Sequence, residues 1–189
     1  MSNEAAEFSR TDPVPDRSHT KWAPDVHIAP PVAEDAAEVH ALIAACPPLD
    51  SNSLYANLIQ CTHFAETCAV ARVDGNVVGL ISGHRLPSGS GTYFLWQVAV
   101  HPDARGTGLP RRMLAEILAR PAQSGTRRIQ TSITRANEAS WALFQSVSAW
   151  LSAPMREELW FDRDRHFGGQ NASEFLVTIG PFAVPEDLT

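Results

Sequence analysis

The chain has 189 residues, 44% of them hydrophobic, which suits one domain of ordinary size with its own core. Its 21 acidic residues against 15 basic ones leave a formal charge of −6, which argues against a broad nucleic-acid-coating surface. Cys46, Cys61 and Cys68 are odd in number and lack CxxC spacing, and no apolar run reaches the length of a membrane span or signal core. The composition therefore predicts a cytoplasmic protein with reduced thiols, not a disulfide scaffold, zinc module or membrane protein.

Residues 1–25 are polar, charged and without periodicity, and read as a disordered leader; residues 183–189 read as a tail. Residues 26–182 read as a single folded domain. Val26-His27-Ile28 is a strand candidate. Val32, Ala36, Val39, Leu42, Ile43 and Cys46 share one helical face, which Pro47-Pro48 ends. The polar turn from Leu49 to Ser53 offers an N-cap for a second short helix through Leu54, Leu58 and Ile59. Thr67–Val73 and Val77–Leu86 flank Asp74-Gly75-Asn76 as a hairpin. Thr92–Val100 is apolar on both faces of its pleat, which predicts a central strand.

Leu109–Arg120 then has helical period, with Leu109, Met113, Ile117 and Leu118 inward and Glu116 and the arginines outward. Arg128–Ile133 is a strand, Asn137–Val147 a helix, and Met155–Phe161 with Phe175–Ile179 a final strand pair. The order β-α-α-β-β-β-α-β-α-β-β predicts an α/β fold, a mixed sheet with helices on both faces.

The most informative segment joins the central strand to the amphipathic helix. It runs Gln97-Val98-Ala99-Val100-His101-Pro102-Asp103-Ala104-Arg105-Gly106-Thr107-Gly108-Leu109-Pro110-Arg111-Arg112. Amides at a helix start have no intrahelical partner, and the helix dipole is positive there. Glycines let the backbone approach an anion, and Arg105, Arg111 and Arg112 add charge, so the segment can cradle a pyrophosphate. An ordinary strand-turn-helix connection is the other reading of the same spacing.

Arg105 to Gly108 resembles the acetyl-CoA loop, R/Q-x-x-G-x-G/A, of the GCN5-related N-acetyltransferases. Pro110 departs from that pattern: it is tolerated in a helix's first turn but donates no N–H and adds bulk. The element order over Val26–Ile179 agrees with the family's fold. Longer segments resemble one subfamily, the L-2,4-diaminobutyrate acetyltransferases of ectoine biosynthesis. They are Leu49-Asp50-Ser51-Asn52-Ser53-Leu54-Tyr55, Cys61–Cys68, Phe94–Val100, Asn137-Glu138-Ala139-Ser140 and His166-Phe167-Gly168-Gly169. The resemblance implies acetyl-CoA as co-substrate, the side-chain (N4) amine of L-2,4-diaminobutyrate as acceptor, and a homodimer. It further implies that backbone groups near Gln97, Val98 and Val100 face the thioester and pantetheine.

An amine attacks a thioester only when neutral, and a lysine-like amine is neutral in roughly one molecule per few thousand at pH 7. A carboxylate holding the α-ammonium would keep that amine charged and aim the other at the thioester. Asp50, in a helix-leading turn, is the first candidate, and by resemblance it and Asn52 belong to the substrate pocket; a plain turn role is the alternative. Trp96 is a candidate pocket wall with cation–π attraction for an ammonium, or else a core tryptophan. Many members of the wider family place a tyrosine on the last helix to protonate the thiolate; here Phe144 occupies that place in the coenzyme site. Only Tyr55 and Tyr93 exist. Tyr55 is therefore the candidate for acid or substrate-binding work, the alternative being unassisted departure of the thiolate. Asn137 either hydrogen-bonds the pantetheine or caps its helix.

The subfamily's His-Glu pair is replaced by Asn171-Ala172, which leaves Glu174 as a candidate pocket carboxylate. His63 and His166 have no metal-ligand spacing with any cysteine or carboxylate, so no metal is expected. An acetyltransferase for another small amine or a peptide N-terminus, and a coenzyme-binding module without turnover, are the rival readings.

Overall fold

A computed structural model of the chain describes residues 25–184, so the expectations for the leader and tail lie almost wholly outside the described residues. Seven strands form one sheet: β1 (His27–Ala29), β2 (Ala69–Val73), β3 (Asn76–Arg85), β4 (Thr92–Val100), β5 (Arg128–Thr134), β6 (Met155–Phe161) and β7 (Glu174–Ile179). Their order is β1-β2-β3-β4-β5-β7-β6, which puts β4 at the centre. All neighbours pair antiparallel except β4 and β5, which are parallel. Five helices accompany the sheet: α1 (Ala36–Ala44), α2 (Leu54–Thr62), α3 (Leu109–Ala119), α4 (Glu138–Trp150) and the short α5 (Arg163–Phe167).

Two apolar layers confirm helices on both faces. One sets Val39, Leu42 and Ile43 of α1 against Val70, Val77, Leu80 and Ala99. The other sets Leu109, Met113 and Ile117 of α3, with Phe144 and Val147 of α4, against Ile81, Leu95, Ile129 and Val177. Leu109, Met113, Leu114 and Ile117 are each no more than 1% exposed, and each such burial contributes about 1.5–3 kcal/mol.

Several local expectations shift. The first helix is shorter than its apolar face, because Ala33–Asp35 forms a 3-10 turn in which Asp35 Oδ2 accepts from Val32 N at 2.7 Å and its other oxygen pairs with Arg72. Thr67 ends a further 3-10 turn instead of opening β2. Arg120 is buried, not outward: it pairs with Glu116 and donates to the carbonyls of Ala65 (3.1 Å) and Cys68 (2.6 Å), tying the end of α3 to the start of β2. Helix α5 carries no helical period in the sequence because its apolar content is one residue, Phe167; Asp162 caps it by accepting from the amides of Asp164 and Arg165.

The relationship that positions the site is between β4 and β5. They pair only through Thr92–Phe94 and Arg128–Gln130, although β4 continues to Val100 and β5 to Thr134. Beyond Phe94 the two strands part, and α3 and α4 both begin at that open end. Carboxyl ends of parallel strands that separate are where open sheets hold ligands.

Candidate active site

Two clefts meet where β4 and β5 diverge. The first, about 340 Å³, lies between the start of α3 and the start of α4; Val98, Val100, Arg105, Gly106, Pro110 and Asn137 are among its walls. The second, about 330 Å³, is lined on one side by Asp50, Asn52, Trp96 and Gln97. Ser132, Trp160, Phe161 and Glu174 line its other side. Pro48, Leu49 and Asn137 belong to both clefts and therefore mark their junction.

The first cleft is built for an anion. Gly106 (φ 74°) and Gly108 (φ 76°) adopt left-handed backbone that other residues take up at a cost, which leads the chain from β4 into α3. Gly108 is the N-cap of α3 and no side chain caps the amides that follow. Those amides and the helix dipole are thus free for a phosphate, less the one that Pro110 lacks. Arg105 Nε donates to Val100 O at 3.2 Å while its residue still lines the cleft. Arg111 and Arg112 are exposed on the first turn of α3, beside the cleft and outside its walls. Thr107 does local work, its hydroxyl donating to Ala104 O at 2.8 Å.

Along β4, Val100 O accepts from Cys46 Sγ (3.3 Å) as well as Arg105, both from outside the sheet. Alternate residues of a strand direct their backbone polar groups to the same edge, so Val98 faces the open side as well. Asn137 proves to be a cap, its Oδ1 accepting from Ser140 N at 3.1 Å, and also a wall of both clefts.

The second cleft is aromatic and acidic. Trp96 is 48% exposed, which removes the core-tryptophan alternative. The carboxylate of Asp50 has no partner among the described residues, while that of Glu174 accepts a hydrogen bond from Ser132 Oγ. Gln97 holds the Asp50 loop onto β4: its Nε2 donates to Asp50 O at 3.0 Å, and its Oε1 accepts from Asn52 Nδ2 at 2.6 Å. An aromatic row, Phe64–His84–Phe94–Trp160–Phe161, runs with neighbouring centroids 4.1 to 5.9 Å apart, and its last three members line the cleft. Burial lowers the pKa of His84 from its usual 6.5.

Three sequence assignments change. The Phe144 side chain is buried in the core, and Ser140 and Leu143 present the face of α4 that borders the first cleft. Leu109 is core as its helical spacing predicts, 1% exposed, so only its backbone is left to serve the helix start. Gln97 lies outside the first cleft, because its position on β4 pairs with Ser82 of β3 and its side chain bonds the Asp50 loop at the second cleft. Tyr55 lies on α2, 72% exposed, and lines neither cleft. Tyr93 is fully buried and its hydroxyl donates to Thr67 O at 2.7 Å. No group of three or more His, Cys, Asp or Glu suited to a metal occurs among the described residues. The three thiols are free and buried; burial pushes Cys61 up to about 12 and Cys68 up to about 11.

A parted parallel strand pair, with a helix start suited to an anion on one side and an aromatic, acidic cleft on the other, has the form of an acyl-coenzyme A transferase site. Residues 36–150 match the acetyltransferase (GNAT) family, and the chain belongs to it. It is 48% identical over 159 residues to the L-2,4-diaminobutyric acid acetyltransferase of Methylotuvimicrobium alcaliphilum, covering 84% of this chain and 92% of that one. It is 45% identical over 156 residues to the enzyme of the same name from Chromohalobacter salexigens, covering 82% and 81%. Among solved structures, the diaminobutyrate acetyltransferase from Paenibacillus lautus in complex with L-2,4-diaminobutyric acid and coenzyme A superposes with a TM-score of 0.80. It is 33% identical, with 84% of this chain and 96% of that one covered.

Proposed function

We propose that this chain transfers the acetyl group of acetyl-CoA to the N4 amine of L-2,4-diaminobutyrate, giving N4-acetyl-L-2,4-diaminobutyrate, a step of ectoine biosynthesis. The observation that carries the reading is the pair of clefts joined at Pro48, Leu49 and Asn137, one suited to a phosphorylated carrier and one to a diamine. The relatives named above and the liganded Paenibacillus structure support the same pairing.

The reaction then follows from the residues. The first turn of α3 and Arg105 hold the diphosphate, and the thioester lies along the free edge of β4, where backbone N–H groups stabilise the developing oxyanion. Asp50 holds the α-ammonium, and Glu174 is the second carboxylate of the cleft. An amine paired with a carboxylate stays charged and inert, so the γ-amine is the one that loses its proton and attacks. Trp96 and Trp160 cover the aliphatic chain and exclude water. Neither tyrosine borders a cleft, so the coenzyme thiolate departs without a tyrosine acid; with a free-thiol pKa near 8.5 it is a competent leaving group. Cys46 is the one cysteine bordering a cleft, and its Sγ is committed to Val100 O, which favours direct attack over an acetyl-enzyme.

The homodimer implied by the resemblance belongs to this reading, with the exposed Leu54, Tyr55 and Leu159 as surfaces for a second copy to cover. So does a cytoplasmic setting, where acetyl-CoA is supplied. The test is coenzyme-thiol release with diaminobutyrate against lysine, ornithine and spermidine, with the product's acetylated nitrogen assigned by NMR. Preference for diaminobutyrate and N4 acetylation are expected; coenzyme binding without release for any amine would leave only a carrier-binding module.

A further inference from the structure

The acceptor cleft contains two carboxylates, Asp50 and Glu174, and no arginine, lysine or histidine among its walls. Diaminobutyrate brings two ammonium groups and one carboxylate, so the charges of the cleft match the amines and oppose the acid group. Three of the neutral side chains are engaged as well. Gln97 Nε2 is bonded to Asp50 O, Asn52 Nδ2 to Gln97 Oε1, and the Ser132 hydroxyl to Glu174. Arg135 follows the cleft residue Thr134, yet it turns away, paired with Glu157 at 2.7 Å and stacked 3.7 Å from the Phe175 ring centroid. Of the remaining walls, Phe94, Trp96, Trp160 and Phe161 are aromatic and suit ammonium and methylene groups, Pro48, Leu49 and Ile133 are apolar, and Thr134 and Asn137 are uncharged.

We propose that the cleft recognises two amines separated by three carbons, not an amino acid as such, and that the chain also acetylates α,γ-diamines lacking the carboxylate, 1,3-diaminopropane being the parent case. The proposal rests on the acetyl-transfer reading above. In the reaction one amine nitrogen bonds to the acetyl carbon as the carbon–sulfur bond breaks. That ammonium gives up two protons, one ending on the coenzyme thiol and one in solvent. The product retains a single ammonium, so it has lost the second cation on which binding depends, and acetylation stops after one round.

The test compares the full chain's turnover of L-2,4-diaminobutyrate, 1,3-diaminopropane and 4-aminobutyrate with acetyl-CoA, by thiol release and product mass. The expected result is a kcat/KM for diaminopropane within about 30-fold of that for diaminobutyrate, one acetyl per molecule, and 4-aminobutyrate below both. Diaminobutyrate turned over with diaminopropane more than about 30-fold poorer, or poorer than 4-aminobutyrate, would overturn the proposal and leave the amino-acid reading intact. Diaminopropane alone acetylated would keep the proposal and remove that reading; no turnover of any acceptor would overturn both. Asp50→Asn is expected to lower kcat/KM for the two diamines by similar factors, and a loss confined to diaminobutyrate counts against the proposal.

Discussion

Trp96 and Trp160 each occupy the extra position of a β-bulge, and both border the acceptor cleft. Ser82 pairs with Gln97 and Gly83 with Leu95, which leaves Trp96 unpaired on β4; Leu159 pairs with Phe175 and Phe161 with Glu174, which leaves Trp160 unpaired on β6. A bulge re-aims a side chain that regular alternation would send elsewhere. Replacing either indole by alanine is expected to raise the Michaelis constant for the diamine about 10-fold, the size of one partly desolvated cation–π contact, with acetyl-CoA binding unchanged. Steady-state kinetics with each substrate varied in turn checks this; an equal effect on both constants would take the tryptophan out of the acceptor cleft.

Asp50→Asn should raise the Michaelis constant for the diamine by about 10- to 100-fold, the loss of a charge-assisted hydrogen bond, and leave that for acetyl-CoA in place. Gln97→Leu should reproduce part of that loss although Gln97 needs no contact with the diamine, because the Asp50 loop loses both of its ties to β4. A Gln97→Leu enzyme with unaltered diamine kinetics would show that the loop holds its place without them.

Pro110→Ala returns a missing amide to the first turn of α3, where the diphosphate is proposed to lie. Coenzyme A is expected to bind about 10-fold more tightly, measured by titration calorimetry, since one hydrogen bond to a charged group is gained. Unchanged affinity would place the diphosphate away from that amide.

The lowered pKa of His84 makes a stability prediction with a definite sign. The unfolded histidine binds its proton more tightly than the folded one, so His84's contribution is complete above pH 6.5 and is lost as pH falls through the lower folded value. His84→Phe should flatten the acid side of a urea-midpoint profile from about pH 7 to 5, and a parallel profile would assign the slope to other groups.

Arg120→Met removes the ion pair with Glu116 and leaves the carbonyls of Ala65 and Cys68 without their donor. A loss of about 2 to 4 kcal/mol in urea unfolding is expected. A loss within error would mean that water replaces the guanidinium.

The sheet was legible because its signals are local: the Asp74-Gly75 turn, the doubly apolar β4 and the helical spacing of Leu109, Met113 and Ile117. The turn proposed to hold the diphosphate was legible for the same reason, its glycines, arginines and helix start being consecutive. Glu174 and Asp50 were found through a resemblance, being 124 residues apart and joined only by the fold. Trp160, Ser132 and the role of Gln97 were not found. Bulges leave no mark in the alternation of apolar residues, and a side chain that bonds a loop 47 residues away has no periodic signature. Phe144 was misplaced by the same limit, since neighbouring positions on a helix differ in which face they give to the core.

The sealed cysteines have a practical side. With Cys61 and Cys68 held as neutral thiols and Cys46 tied to a carbonyl, the folded protein offers little to a colorimetric disulfide reagent. The colour that develops during turnover then counts coenzyme molecules alone, and a slow extra rise of up to three equivalents would time the chain's own unfolding in the same cuvette.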